Sequence, residues 1–280
     1  MTSSEKKQLQ ITACKVRMGI IESTHSAKAG HPGGSLSATE IFTYLYFKEM
    51  TIDPKNPKWE DRDRFVLSKG HTAPGLYAAL AHRGYFPVED LKTLRKIDSY
   101  LQGHPNMNLV PGVDMSTGSL GQGISVAVGM ALAAKHTGKQ NRVYALLGDG
   151  EIQEGQVWEA CMAAAHYKLD NLCIVVDNNG LQIDGNIKDV MSPYPIVDKL
   201  DAFGFRTLAI DGHDLDAIEE AFDTAKATKG MPTAIVITTV KGKGVSFMEN
   251  DAGWHGKAPN DAEYEQAMAE LKAQLAEVEA

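Results

Sequence analysis

Four short runs of apolar and β-branched residues set the strongest limit on the fold of this chain: RVYALL at 142–147, LCIVV at 172–176, FRTLAI at 205–210 and TAIVITTV at 233–240. Stretches with helical spacing separate them, at 155–167, 194–203 and 215–228. Strands that are apolar nearly throughout, alternating with helices, predict an α/β fold: a doubly wound, mostly parallel sheet buried on both faces. Before these runs the texture is helical, with segments at 9–27, 36–50, 72–83 and 120–136, and a charged, Ala-rich helix is expected at 262–280. No repeat or low-complexity linker divides the chain, so one domain over 1–280 is the expectation.

Composition narrows the function classes. The 280 residues are 43% hydrophobic, enough for a packed core. A formal net charge of −8 argues against nucleic acid and against an anionic membrane surface. No apolar run approaches the ~20 residues of a membrane span, and the N-terminus lacks the apolar core of a signal peptide. Cys14, Cys161 and Cys173 are few and far apart, and read as reduced core thiols. A soluble, cytoplasmic protein is expected.

Two segments carry metal chemistry. In a parallel βαβ unit the strand ends share one edge of the sheet. The run ending at Leu147 and the run ending at Val176 therefore bring Asp149 and Asn179 to one edge, although 179 − 149 = 30 positions separate them. Each offers a hard oxygen, and the carbonyl of Leu181 adds a third. Mg²⁺ takes such oxygens and completes its shell with phosphate and water. Gly150 places a backbone N–H where a helix N-terminus meets phosphate. Separately, Asp149 reads as a helix cap and Asn178-Asn179-Gly180 as a turn; in register on one βαβ unit they favour an Mg²⁺–diphosphate clamp.

Of nine histidines, four stand in Gly- or Pro-rich loops: His31 (AGHPGG), His71 (SKGH), His104 (QGHP) and His255 (WHG). Such loops bring functional groups close to a substrate, and imidazole suits proton transfer near neutral pH. No HExxH or tight Cys/His cluster supports zinc. His25, His82, His136 and His166 fall in helical stretches and read as surface or core residues; His213 reads as a turn or capping residue.

GDGEIQEG followed by VDNNGLQIDG resembles the thiamine-diphosphate-binding motif. With AGHPGG, SKGH, QGHP, TGSLGQG and WHG in the same order from His31 to His255, the chain resembles the transketolase family. The glycines of TGSLGQG do not fit a dinucleotide GxGxxG, and no strand precedes them. The resemblance implies Asp149, Asn179 and the Leu181 carbonyl as metal ligands. It places Gly150, His71 and His255 along the diphosphate, Gly118 and Leu120 at the aminopyrimidine, Ile183 against the cofactor, and His31 and His104 at the sugar. In the family, thiamine supplies a nucleophilic carbon and an electron sink, and a two-carbon ketol unit passes from a ketose phosphate to an aldose phosphate, as in the pentose phosphate pathway.

Family transketolases carry the glutamate for the aminopyrimidine, and the aromatics that stack on it, in a second α/β domain. Only one such pattern is present here. The expectation is the N-terminal subunit of a split transketolase, completed by a separate C-terminal subunit, with two copies of each as a heterotetramer. The rival thiamine enzymes are a split ketoacid dehydrogenase component and a transketolase for an unusual sugar; a scaffold homologue or a nicotinamide oxidoreductase fits less well. Among the acids of GDGEIQEGQVWEA, Glu151 reads as a helix-dipole acid. Glu154 and Glu159 lie about 140° apart around a helix. By the resemblance both point toward the partner chain near the cofactor, Glu154 as a catalytic residue and Glu159 as a cofactor contact.

Overall fold

A computed structural model describes residues 1–280. Five parallel strands form one sheet in the order β1-β2-β3-β7-β6: β1 (Arg64–Leu67), β2 (Val143–Gly148), β3 (Leu172–Asn178), β6 (Arg206–Asp211) and β7 (Thr233–Thr238). A two-stranded antiparallel hairpin, β4 (Leu181–Gln182) and β5 (Gly185–Asn186), hangs off the end of β3. The strand β1 is absent from the sequence-based expectation. Its four residues are flanked by charged WEDRD and by SKGH, too short a run for periodicity to register.

The helices are α1 (Ser3–Ala27), α2 (Pro32–Ser37), α3 (Thr39–Tyr44), α4 (Ala73–Arg83), α5 (Gly123–His136), α6 (Gly155–His166), α7 (Ile187–Met191), α8 (Ile196–Ala202), α9 (Leu215–Ala227) and α10 (Asp261–Glu279). The single helix expected at 36–50 is instead α2, α3 and a π-turn over Leu45–Glu49. The helix expected from Leu120 starts at Gly123, because the glycine-rich loop runs on to that point. The C-terminal α10 opens with a capping box on Asn260 and packs along α1.

Alternation along the strands feeds two cores. Phe65, Leu67, Tyr144, Leu146, Cys173, Val175, Ile235 and Ile237 face a large cluster under α1, α3, α4 and α9. Val66, Val143, Ala145, Leu147, Leu172, Ile174, Val176, Ala234 and Val236 face a smaller one under α5, α6 and α8. Both faces of the sheet are covered, as expected of a doubly wound sheet. Edge strand β6 is the exception, with exposed positions at Arg206, Ala209 and Asp211. All three cysteines are buried free thiols.

Phe222 of α9 is fully buried, stacked on Tyr44 at 5.4 Å between ring centroids and edge-on to Tyr144 at 5.7 Å. Phe222→Ala is expected to cost about 3–5 kcal/mol in urea unfolding, from lost burial and the cavity left behind. A loss under about 1 kcal/mol would contradict this packing.

Candidate functional site

The carboxyl ends of β2, β3 and β7 open into a cleft of about 310 Å³. Asp149 follows β2; its N–H extends the ladder to the Asp177 carbonyl at 3.1 Å. The buried Asp149 carboxylate accepts from Gly180 N–H at 2.6 Å (Oδ2) and from Gly150 N–H at 2.8 Å (Oδ1). The turn after β3 is thus tied to the turn after β2, and Asp149, Asn179 and Leu181 line the same cleft. Asn179 donates from Nδ2 to Asp177 Oδ2 at 3.2 Å, and its Oδ1 accepts from Leu181 N–H at 3.1 Å. An ionised Asp177 can only accept, so it orients the amide with its NH₂ inward.

Gly150 departs from expectation. Its N–H is committed to Asp149, and α6 starts only at Gly155, after a 3₁₀ turn over Glu151–Gln153. Glu151 is not a solvated dipole acid. It is 2% exposed and accepts from Ser68 Oγ, from Gly121 N–H at 2.9 Å and from Gly148 N–H at 3.0 Å. One carboxylate therefore joins the SKGH, TGSLGQG and GDGE loops. Burial pushes it up, and those three bonds act against the shift. Nothing in the sequence distinguishes such a clasp from a first-turn acid.

Glycine serves this assembly at two places. Gly118 has φ 153°, and a Cβ there would lie 3.0 Å from the His104 ring. Gly121 has φ 79°, and its Cβ would lie 2.8 Å from Glu154 Cβ. TGSLGQG is thereby pressed against two of the residues read from the sequence.

Glu154 stands exposed on the cleft wall, as do Leu120 and Ile183, the latter 66% exposed. Glu159 does not line the cleft. Five residues along α6 from Glu154, a rise of about 7.5 Å, it sits on the exposed face of the helix. The exposed face is the one the resemblance turns toward a partner chain, and no residue of that chain is present here.

His31, His71 and His255 form one cluster: His71 stacks on His255 at 5.1 Å, and His31 meets them edge-on at 5.1 and 5.5 Å. His31 Nδ1 is buried and has no hydrogen-bond partner within the chain. His104 stands apart on the exposed loop against Gly118, its carbonyl accepting from Tyr77 OH at 3.0 Å.

Three further residues escaped the sequence reading. Asp177 is fully buried and accepts from Ser37 Oγ and Thr239 Oγ1, with the Lys69 ammonium against it. Burial alone would raise its pKa, but Lys69 and the two hydroxyls hold it below the usual carboxylate range. Lys241, 1% exposed, donates to the Leu181 carbonyl at 2.9 Å and meets His255 Nδ1 at 2.9 Å, with no carboxylate paired to it. Burial pulls its ammonium down to about 8. Its signal was positional: it follows a run already read as a strand, on the same sheet edge.

Asp149 is pushed up to about 6, by burial first and then by Asp177. The cleft therefore holds a carboxyl group that is costly to ionise beside an amine that is costly to protonate. A divalent cation relieves the first and an anion the second. No three His, Cys, Asp or Glu side chains gather with ligand spacing, so a cation here relies on amide and carbonyl oxygens beside Asp149. The donor set and the unpaired ammonium fit a metal diphosphate.

A polar cleft at the strand ends of a doubly wound parallel sheet is where domains that bind phosphorylated cofactors hold them. The family is settled by comparison: the chain belongs to the transketolase family, matching the model of the transketolase thiamine diphosphate-binding domain over residues 8–277. It is 46% identical over 270 residues to the 6-deoxy-6-sulfo-D-fructose transketolase subunit of a Clostridium species, covering 96% of this chain and 98% of that one. It is 42% identical over 271 residues to an apulose-4-phosphate transketolase subunit of Phocaeicola vulgatus, covering 97% and 96%. The crystal structure of Campylobacter jejuni transketolase superposes with a TM-score of 0.88 at 32% identity, over 96% of this chain but 45% of that chain. The chain thus spans less than half of that full-length transketolase.

Burial, with nearby positive groups, pushes His31 down to about 4 and His255 down to about 3. An unfolded histidine titrates near 6.5. The neutral imidazoles therefore stabilise the fold fully above about pH 6.5, and that contribution is lost as pH falls toward their folded values. Asp149 acts in the opposite direction, so histidine variants isolate the effect. The melting temperature is expected to fall between about pH 7 and pH 5, and less steeply in the His31→Asn/His255→Asn double variant. Parallel slopes would refute this.

Proposed function

We propose that this chain is the diphosphate-binding subunit of a two-component transketolase dependent on thiamine diphosphate and Mg²⁺. It transfers a two-carbon ketol unit from a ketose phosphate to an aldose phosphate. The observation that carries the reading is the buried, unpaired Lys241 ammonium beside the Asp149, Asn179 and Leu181 oxygens. The oxygens hold the cation and Lys241 faces the diphosphate, with His71 and His255 along it.

Thiamine diphosphate, when bound, supplies the nucleophilic carbon and the electron sink of ketol transfer. The chain's own residues bind and move protons. His31 stays neutral at pH 7 and its Nδ1 is free to hydrogen-bond a sugar hydroxyl, whereas His255 accepts the Lys241 ammonium at Nδ1 and so presents Nε2–H as a donor. His31, with its free Nδ1, and His104 serve the sugar. Leu120, Gly118 and Ile183 support the cofactor's rings, and Glu154 lies where a partner chain closes the cleft. Glu159, exposed on α6, faces the same partner chain.

The partner is a C-terminal subunit carrying the pyrimidine-binding domain, assembled as a heterotetramer in the cytoplasm. Two relatives matched nearly end to end are themselves named as subunits, which supports a separate second chain. The sugars they are named for, 6-deoxy-6-sulfo-D-fructose and apulose-4-phosphate, favour a second reading within the same chemistry: a transketolase for an unusual sugar.

The test is reconstitution with the product of the adjacent reading frame, followed by a ketol-transfer assay with thiamine diphosphate and Mg²⁺. Turnover is expected only with both chains present, and Asp149→Ala is expected to lower it by about 10²-fold or more. Robust turnover by this chain alone, or by the Asp149→Ala complex, would sink the reading.

A further inference from the structure

A cleft of about 540 Å³ lies outside the candidate site, and Arg17, Glu40 and His213 line it. These three are joined. The Arg17 guanidinium pairs with Glu40 Oε1, Glu40 Oε2 meets His213 Nδ1 at 2.9 Å, and His213 Nε2 accepts from the Val240 N–H at 2.9 Å. An accepting Nε2 places the ring proton on Nδ1, toward the carboxylate. This histidine is more than the turn or capping residue expected from the sequence; Asp214 caps α9 instead.

What the network holds is the segment 240–244, just past β7. Besides the His213 bond at Val240, Gly242 N–H donates to the Gly33 carbonyl at 3.0 Å. Arg17 Nε donates to the Lys243 carbonyl at 3.1 Å, and Gln274 Nε2 to the Gly244 carbonyl at 2.8 Å. Within this clamped segment the Lys241 side chain runs into the catalytic cleft, to the Leu181 carbonyl and His255.

We propose that His213 is a positioning residue: through its bond to Val240 it sets where the Lys241 ammonium stands in the cleft. It lines no part of that cleft itself. The inference rests on the reading that Lys241 faces a diphosphate. It extends that reading to a residue on the far side of the strand ends, reached through Glu40 and Arg17. The Arg17–Glu40 pair would remain an ion pair without any histidine. The bond that needs imidazole is the one to Val240, where the acceptor nitrogen takes an N–H that has left the ladder.

Two amide substitutions separate positioning from packing. His213→Gln retains an acceptor at the place of Nε2, whereas His213→Asn retains an amide only at the place of Nδ1. The full chain is titrated calorimetrically with magnesium pyrophosphate, and hydrogen exchange is followed at the Val240 amide. Pyrophosphate affinity is expected within about twofold of wild type in His213→Gln and about tenfold weaker in His213→Asn, matching Lys241→Ala. The Val240 amide is expected to stay protected in His213→Gln and to exchange fast in His213→Asn. Equal losses in both amide variants, or an unimpaired His213→Asn, overturn the inference. A wild-type chain that takes no pyrophosphate overturns the reading of the cleft instead, and the Val240 exchange comparison then decides the anchor alone.

Discussion

The carboxylate of Asp177 is the interaction on which the rest of the site depends. It has no exposed surface, and burying a charge is tolerable only when it is paired and fully hydrogen-bonded. Its partners come from separate stretches of chain: Ser37 at the end of α2, Lys69 after β1, Asn179 after β3 and Thr239 after β7. Satisfying this one group draws together the loops that carry the candidate site, and it also orients Asn179. The same demand operates at Glu151, which fastens the SKGH, TGSLGQG and GDGE loops to one another.

Lys69 and Lys241 show how charge is divided between structure and binding. Lys69 is matched by Asp177 and donates to the Gly34 carbonyl at 3.0 Å, so its charge is used within the fold. Lys241 finds a carbonyl and an imidazole, neither of which neutralises it. On a chain of net charge −8, the proposed diphosphate binding rests on that local imbalance rather than on the overall field. The exposed Leu120 and Ile183 at the cleft add apolar surface for an organic ligand or a second chain to cover.

The parts legible in sequence were those fixed by period and topology. The β-branched runs located β2, β3, β6 and β7, and the βαβ rule placed Asp149 and Asn179 on one edge. The parts that were not legible depend on what a side chain meets across the fold. RFVL was too short to read as β1, and Asp177 stands one position past the run LCIVV with nothing in sequence to mark its partners. Glu151 and Glu159 are both acids near a helix start, yet one is a buried clasp and the other a surface residue off the cleft. The histidine loops marked the cluster of His31, His71 and His255, while spacing carried no sign that His213 would tie back to Val240.

The central claim is that Asp149, Asn179 and the Leu181 carbonyl hold a divalent cation that in turn holds a diphosphate. Electron–nuclear double resonance on the chain loaded with Mn²⁺ and thiamine diphosphate tests it directly, because phosphorus couples to manganese only when phosphate oxygen is a ligand. The account predicts ³¹P couplings in the wild-type chain and their loss in Asp149→Ala. Manganese bound without phosphorus coupling, or coupling that survives in Asp149→Ala, would contradict it.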